Sequence, residues 1–235
     1  MRVKIKHKPH RSSYLIIRFF LGLPRKLFPN RFEGWADDTI QHMGVHATTH
    51  IDAPWHYGTV VEGKKAKTID EIDLNHCYGN GVVLNMSHKK DNEVITQNDI
   101  ENELKQIQYT IQPKDIVLIR TDRDVFLGTK EYPDRGTGMS KEATLFLIEQ
   151  GVKVMGIDQW GWDLPLRYQT KLAKETQDPT KFWEGHMVGL DHEYYHMEQL
   201  VNLSALPSYG FKVAVFPLKI KGASAAPARV VAILE

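Results

Sequence analysis

The stretch Gly81-Val-Val-Leu-Asn-Met86 is short, apolar and rich in β-branched residues, and these features predict a buried strand. Two runs of the same character follow it along the chain, Asp115-Ile-Val-Leu-Ile-Arg120 and Val152-Lys-Val-Met-Gly-Ile157. Each run is bounded by polar residues or glycine, so each is predicted to be a separate strand of one sheet.

A helix is predicted in each of the two intervals between these strands. Thr96 is suited to cap a helix over about residues 97–107, in which apolar residues recur on one face. Ser140 is suited to cap a second helix, which runs to about Gln150 and ends at Gly151. Strands that alternate with helices at this spacing predict an α/β fold with partly parallel pairing.

The remainder of the C-terminal half contains a predicted loop and two further strands. Residues 158–185 are rich in Trp, Pro, Asp and Gln, and we expect a long functional loop there. Strands are predicted over about residues 212–217 and 228–234. The small residues 222–227 between them predict a turn at which backbone can approach a ligand.

Composition excludes several classes of protein. The 235 residues carry a net charge of +1, which gives no electrostatic argument for nucleic acid. No run of about 18 apolar residues is present, so no membrane span is predicted. The single cysteine, Cys77, excludes an intrachain disulfide and favours a cytoplasmic location. We expect Cys77 to be an inert packing residue.

The N-terminal segment is basic. Residues 1–31 contain nine lysines and arginines, and the first acidic residue is Glu33. Such a segment can contact an anionic surface, including nucleic acid or a membrane surface, but a solvated or partner-packed arm is the favoured interpretation.

The richest cluster of metal-binding side chains is His46-Ala-Thr-Thr-His50-Ile-Asp52-Ala-Pro-Trp-His56. His46, His50 and Asp52 share one parity, so on an extended strand they face the same side. Pro54 excludes a helix running through the segment and turns the chain, which lets His56 return toward the same pocket. Two imidazoles and a carboxylate suit Zn²⁺ or Mn²⁺, with a position left for water. The alternative interpretation is a histidine-rich surface turn.

A second cluster contains three histidines and several acids within residues 185–200. Spacing alone does not choose between the pair His186 and Glu198 and the pair His192 and His196. The latter pair stands at i, i+4 and would form the more obvious helical metal site.

The first cluster resembles the H-x-G-T-H-x-D-x-P-x-H signature of the cyclase family, which includes kynurenine formamidases and isatin hydrolases. The C-terminal residues 198–203, 206–207, 217–222 and 228–229 also resemble the ending of that family. The similarity extends from about Gln41 to Glu235. It implies a swivelling β/β/α single domain, and metal-dependent hydrolysis of small amides or lactams.

The resemblance also implies roles for individual residues. His46, His50 and Asp52 match the ligands of a first metal ion, whereas His186 and Glu198 match ligands of a second. Asp52 and Glu198 match carboxylates that bridge the two ions. His56 matches the acid/base residue of the family. His192 and His196 have no counterpart in the family pattern, and we predict helix-surface or supporting roles for these two histidines.

Two departures from the family pattern are visible. The glycine of the signature is replaced by Thr48, which we expect to adopt an extended conformation. Residues 1–40 lack the usual opening strand and substrate loop of the family. We therefore predict a basic N-terminal arm over residues 1–40, truncated or divergent, and a hydrolase domain over residues 41–235.

The predicted function is hydrolysis of a small amide, formamide or lactam by attack of metal-bound hydroxide, in the manner of an arylformamidase. One or two Zn²⁺ or Mn²⁺ ions per chain and a small-molecule substrate are expected. Nucleic acid is not expected as a partner, and the family implies a homodimer or homotetramer. The alternative is a metal-binding protein of the same fold without catalytic turnover.

Overall fold

The computed structural model describes residues 3–234, which divide into two compact units. The first unit ends at Ala47 and the second begins at Thr48. In the first unit, strands β1 (Lys4–Lys8) and β2 (Asp37–His42) pair in antiparallel fashion. The helical segments between them are α1 (His10–Leu15), a π-helical turn (Ile16–Phe20) and a 3-10 turn (Arg25–Leu27). The basic arm predicted from the sequence therefore contains regular secondary structure.

The second unit is built around a closed β-barrel with helices packed on it. Its strands are β3 (His50–Asp52), β4 (Val60–Val61), β5 (Lys64–Lys65), β6 (Tyr78–Asn85), β7 (Val94–Ile95), β8 (Ile116–Arg120), β9 (Gly138–Met139), β10 (Val154–Ile157), β11 (Tyr195–Glu198), β12 (Phe211–Pro217) and β13 (Ala225–Leu234). Its α-helices are α2 (Pro54–Tyr57), α3 (Gln97–Gln106), α4 (Lys141–Glu149) and α5 (Leu166–Thr176).

The strand order around the barrel is β10-β11-β3-β13-β12-β6-β8. Pairing is parallel from β6 through β8 and β10 to β11, and antiparallel in the remaining pairs. The parallel part arises from the predicted alternation of strands and helices. A crossover helix returns the chain to the end of the sheet where the preceding strand began, so the next strand runs in the same direction. The α/β class predicted from the sequence is confirmed. No helix within residues 3–234 is long and apolar enough to cross a membrane.

Both predicted helix caps form hydrogen bonds at the helix starts. The Thr96 hydroxyl accepts a hydrogen bond from the backbone N–H of Asp99, and the Ser140 hydroxyl accepts one from that of Ala143. Each cap satisfies one of the backbone donors that the first turn leaves without an intrahelical partner. The helices therefore begin where the sequence predicts.

Strand β8 shows why the predicted strands are continuously apolar. Ile116 and Leu118 belong to the cluster that fills the barrel, whereas Val117 and Ile119 pack in a second cluster with Leu147 of α4. A strand buried on both faces has no polar side to alternate with its apolar side. The barrel is thus covered by helices on the side where β8 and β10 lie.

The prediction of one long loop over residues 158–185 was wrong, because α5 occupies its centre. Pro165 precedes the first turn of this helix, where a missing backbone N–H costs nothing. Gln169 is buried and ties α5 to the adjoining loops by donating to the carbonyl of Leu164 and accepting from the N–H of Trp183. The Trp-, Pro- and Gln-rich composition conceals the helical periodicity of the segment.

The predicted small-residue turn is shorter than expected, because β13 already begins at Ala225. Ala225 and Ala226 are fully buried and pair with Asp52 and Ile51 of β3. Their small side chains allow β13 to lie beside β3 in the barrel. Part of the predicted turn therefore lies in β13, beside the strand that carries His50 and Asp52.

Candidate metal centre

Strands β3 and β11 bring two pairs of polar residues together. Their antiparallel register places Asp52 opposite His196 and His50 opposite Glu198. Because side chains alternate along a strand, all four project from the same face, while the residue between each pair belongs to the barrel core. All four side chains are buried. The candidate site is therefore built on the outer face of two rigid barrel strands.

Each carboxylate directs its two oxygens at different histidines. Asp52 Oδ1 lies 3.4 Å from His50 Nε2, and Asp52 Oδ2 lies 3.2 Å from His196 Nε2. Glu198 Oε2 lies 3.6 Å from His50 Nε2, and Glu198 Oε1 lies 3.2 Å from His196 Nε2. His186 Nε2 lies 3.8 Å from Glu198 Oε1. The two carboxylates thus separate the His50 side of the cluster from the side that holds His186 and His196.

His186 enters the cluster from a loop segment rather than from the barrel. It begins a 3-10 segment, His186–Leu190, which follows α5. The Asp163 carboxylate accepts hydrogen bonds from both the backbone N–H and the ring Nδ1 of His186. These bonds fix the direction of the imidazole, so its Nε2 faces Glu198.

The Nδ1 atoms of the three histidines are engaged on the outer side of the cluster. His50 Nδ1 donates to the carbonyl of Thr48 at 2.8 Å, His186 Nδ1 donates to Asp163, and His196 Nδ1 lies 3.1 Å from the hydroxyl oxygen of Tyr57. Carbonyl and carboxylate oxygens only accept hydrogen bonds, so a neutral His50 or His186 carries its lone pair on Nε2. This pattern is the usual support of metal-binding histidines.

The donor set fits a divalent metal ion. Nε2 lone pairs that face carboxylate oxygens at 3.4–3.8 Å repel them unless a cation lies between. One ligand atom from each of Asp52, His186, His196 and Glu198 lies within 4.8 Å of the others, and all four residues are buried. Imidazole and carboxylate ligands suit Zn²⁺ and Mn²⁺. The cluster is thus able to hold such an ion.

Residues of the cluster shift one another's pKa values. Burial lowers the pKa of His196, but hydrogen bonds to Asp52 and Glu198 outweigh this effect and raise the pKa to about 9. Burial raises the pKa of Glu198, whereas the hydrogen bond from His196 lowers it, and the result lies below the usual value. Glu198 therefore stays ionised at neutral pH, and a cation that binds there competes with the proton on His196.

Aromatic rings surround the histidines. The ring of His196 lies between the rings of Trp162 and Tyr57, with centroids 5.2 Å and 5.4 Å away. Trp183 stacks on His186 at 4.5 Å and meets His56 edge to face at 5.4 Å. Trp183 also has a φ of 62°, which is unusual for an aromatic residue. Residues with such backbone conformations are concentrated at functional sites. No motif in the sequence indicates a role for Trp183.

Thr48 does not have the extended conformation expected from the sequence. Its φ is 61°, in the left-handed region that a β-branched residue rarely adopts. The resemblance identified this position as a glycine of the signature, and a positive φ explains that residue type. The conformation directs the Thr48 carbonyl at Nδ1 of His50. Backbone strain at Thr48 is therefore coupled to the orientation of a predicted ligand.

Replacing Thr48 by Gly is expected to raise the free energy of unfolding by about 1 kcal/mol. The strain relieved is about 1–3 kcal/mol, and the greater entropy of Gly in the unfolded chain offsets part of it. Urea unfolding of the metal-free protein measures the change. Thr49→Gly is the matched control and should be destabilising, because the Thr49 hydroxyl donates to the carbonyl of Gln199 at 2.6 Å. A destabilised Thr48→Gly variant would contradict the strain argument.

Of the predicted site residues in the second unit, the structure brings together His50, Asp52, His186 and Glu198, and it places His56 beside Asp52. His56 lies in α2, which Pro54 begins, and its Nε2 is 4.0 Å from Asp52 Oδ2. His46 lies in a turn of the first unit and not on a strand, so the prediction of a shared strand face holds only for His50 and Asp52. The roles assigned to these residues from the resemblance remain predictions.

His192 and His196 were predicted to have helix-surface or supporting roles, and the helix-surface position was wrong for both, whereas the supporting role stays a prediction. His192 lies in a turn and is partly exposed, whereas His196 is fully buried in β11. His196 shares parity with Glu198, which would have indicated a common face had the segment been interpreted as a strand. Cys77 is also buried, which raises the pKa of its thiol to about 11 and suits a packing residue.

Comparison with known proteins identifies the family. The Cyclase family model, whose description is "Putative cyclase", matches residues 12–164. Because this match covers more than half of the chain, the protein belongs to the Cyclase family, and the resemblance seen in the sequence is confirmed. The match begins at residue 12, before the predicted start of the similarity near Gln41. A kynurenine formamidase of Bacillus cereus is 25% identical over 189 residues, which cover 80% of this chain and 76% of that protein. The relationship supports amide hydrolysis at the level of the family.

Solved structures share the fold. Isatin hydrolase A from Ralstonia solanacearum superposes with a TM-score of 0.73 at 23% identity, covering 99% of this chain and 82% of that one. Isatin hydrolase A from Labrenzia aggregata gives a TM-score of 0.71 at 23% identity, with coverages of 100% and 85%. The fold expected from the family is therefore confirmed.

Proposed function

We propose that this protein is a metal-dependent hydrolase of small amides, formamides or lactams, with arylformamidase-like chemistry. The observation that carries the proposal is the convergence of His50, Asp52, His186 and Glu198 on one face of β3 and β11, with His56 beside them. The similarity to kynurenine formamidases supports a C–N bond outside peptides as the bond that is cleaved.

The proposed ligands are His46, His50, Asp52, His186 and Glu198, and they would hold one or two Zn²⁺ or Mn²⁺ ions per chain. When bound, such an ion polarises a carbonyl group and lowers the pKa of a coordinated water. Asp163 and the Thr48 carbonyl orient the imidazoles of His186 and His50, so the ligands are preorganised.

His56 is the proposed acid/base residue. Its Nε2 faces Asp52 Oδ2, and its side chain is about one quarter exposed, so a substrate and water can reach it. In the proposed reaction His56 Nε2 takes a proton from the attacking water and returns it to the leaving nitrogen. Trp183, which packs against both His56 and His186, is suited to contact a planar substrate.

Three further expectations complete the proposal. A cytoplasmic location and a homodimeric or homotetrameric state are predicted from the sequence and its family. The division into a basic arm over residues 1–40 and a hydrolase domain over residues 41–235 is likewise proposed. Light scattering coupled to size-exclusion chromatography measures the oligomeric state directly.

The proposal predicts that chelator-stripped protein regains hydrolysis of N-formylkynurenine when Zn²⁺ or Mn²⁺ is added back. Release of kynurenine and formate is measured, with isatin as a lactam for comparison. Metal-dependent turnover of either compound supports the hydrolase assignment. Stoichiometric metal binding without turnover of N-formylkynurenine, isatin or other small amides would overturn it and favour a metal-binding protein of the same fold.

A further inference from the structure

The role of His196 goes beyond the ligand set that the family resemblance implies. This residue is fully buried on β11, and its Nε2 lies 3.2 Å from both Asp52 Oδ2 and Glu198 Oε1. Register places it directly opposite Asp52, two residues before Glu198 on the same face. The three side chains therefore meet in one pocket, on rigid strands.

We infer that His196 is a metal ligand, which completes a site of two imidazoles and two carboxylates with Asp52, His186 and Glu198. The inference rests on the proposed metal dependence of this protein and extends it. It assigns the second side of the cluster to four protein ligands, where the resemblance supplies only three.

Distances within the pocket fit this assignment. Ligand atoms bound tetrahedrally to one zinc ion, with bonds of about 2.1 Å, stand about 3.4 Å apart. His196 Nε2 lies 3.2 Å from one oxygen of each carboxylate, and His186 Nε2 lies 3.8 Å from the same Glu198 oxygen. These three separations lie within about 0.4 Å of the tetrahedral value. All pairs among the four ligand atoms lie within 4.8 Å, so side-chain adjustment can bring the four residues onto one ion.

The support of His196 is placed like that of the two histidines the resemblance already identifies, with the difference that its outer partner, a hydroxyl, can donate as well as accept. In each of the three imidazoles, Nδ1 has an oxygen partner outside the cluster and Nε2 faces the carboxylates. In His196 the outer partner is the Tyr57 hydroxyl, and the stacked rings of Trp162 and Tyr57 fix the plane of the imidazole. The orientation of the His196 ring is thus fixed by its neighbours, as is usual for a metal-binding histidine.

The competing role for His196 is a protonated bridge between the two carboxylates that contacts no metal. A bridge of this kind would direct its proton at Glu198 Oε1, the same oxygen that His186 Nε2 faces, so a metal ion held there by His186 would lie against a positively charged imidazole. A metal ion accounts for His186 and His196 together. The two roles predict different effects of replacing His196 on metal coordination.

The test compares His196→Phe, which keeps an aromatic ring between Trp162 and Tyr57 but removes both nitrogens, with His192→Ala as the matched control. His192 lies in a turn four residues earlier and is partly exposed. Zn²⁺ affinity is measured by competition with a chromophoric chelator, metal content by elemental analysis, and coordination by the absorption spectrum of the Co²⁺-loaded protein. Circular dichroism of the metal-free variants verifies folding.

A ligand role predicts that His196→Phe lowers Zn²⁺ affinity at the second site by about 100-fold or more, since even supporting residues cost 10–100-fold. The Co²⁺ spectrum should change, and His192→Ala should leave both readouts unaltered. Retained affinity with an unchanged Co²⁺ spectrum would overturn the inference. If His196→Phe does not fold, X-ray absorption of the Zn²⁺-loaded parent protein decides, because Nε2 of His196 must add an imidazole at about 2.0–2.1 Å.

The outcome is separable from that of the proposed function. A parent protein that binds no metal would overturn both proposals. A parent protein that binds metal but hydrolyses none of the test compounds would remove the hydrolase assignment alone. The ligand role of His196 would then stand or fall on its affinity and spectrum.

Discussion

Replacing Asp52 by Asn is expected to abolish high-affinity metal binding and, with it, hydrolysis. Asp52 lies at the centre of the cluster, where one oxygen faces His50 and the other faces His196. The amide has nearly the same shape but lacks the negative charge, and one of its two positions becomes an N–H donor that cannot bind a cation. Metal affinity should fall by more than about 100-fold, which exceeds the usual cost of losing a supporting residue.

Unfolding in urea with and without metal measures this loss independently of activity. A metal that binds only the folded chain stabilises the parent protein by about 4 kcal/mol when its free concentration is 1,000 times Kd. The increase should vanish in Asp52→Asn. Asp115→Asn is the matched control, because Asp115 is equally buried but accepts hydrogen bonds from Tyr109 and Gln112 outside the cluster. Metal stabilisation that survives in Asp52→Asn would contradict a central role for this carboxylate.

The parts of the fold that the sequence predicts well are those determined locally. Strands β6, β8 and β10 are apolar on both faces, and Thr96 and Ser140 cap the intervening helices, so short-range pattern suffices. Helix α5 was missed because its surface is mostly polar and its few apolar residues are interspersed with Lys, Gln and Thr. In that segment the local pattern does not determine the helix, and tertiary contacts such as the hydrogen bonds of Gln169 stabilise it.

The residues of the candidate site also divide into those that the local sequence predicts and those that depend on tertiary structure. His50 and Asp52 were found because their spacing and the family signature lie in one short segment. His196 was missed because its importance depends on the pairing of β11 with β3, whose residues are more than 140 positions away. The spacing of His192 and His196 favours a helix when it is taken alone. Only the register between the neighbouring strands β11 and β3 reveals that His196 lies opposite Asp52.

The conformation of Thr48 was also beyond local prediction. A threonine favours extended backbone, and nothing within the neighbouring residues indicates that its φ is 61°. The Thr48 carbonyl accepts from His50, and the Thr49 hydroxyl donates to the carbonyl of Gln199, which follows the neighbouring strand β11. These contacts hold Thr48 in the unfavourable conformation. Local backbone strain at a site can persist in this way because the surrounding fold holds it in place.

His56→Gln is expected to lower kcat for an amide substrate by about 10²–10⁴-fold while leaving metal affinity nearly unchanged. His56 is placed by α2, outside the two strands that carry the central ligands, and its Nε2 is 4.0 Å from Asp52 Oδ2. Glutamine keeps a polar group near this position but cannot accept and return a proton at neutral pH. Steady-state kinetics on the metal-loaded protein, with metal content determined on the same sample, measure the two effects separately.

The ratio between the two effects distinguishes acid/base chemistry from metal binding. If His56 were mainly a ligand, the variant would lose metal, and excess Zn²⁺ or Mn²⁺ would restore much of its rate. If it transfers protons, full metal loading leaves the rate low, and the loss appears in kcat more than in KM. His88→Gln is the matched control, because His88 is exposed in a turn that follows β6. A His56→Gln protein with an unchanged kcat would assign proton transfer to another group in the pocket.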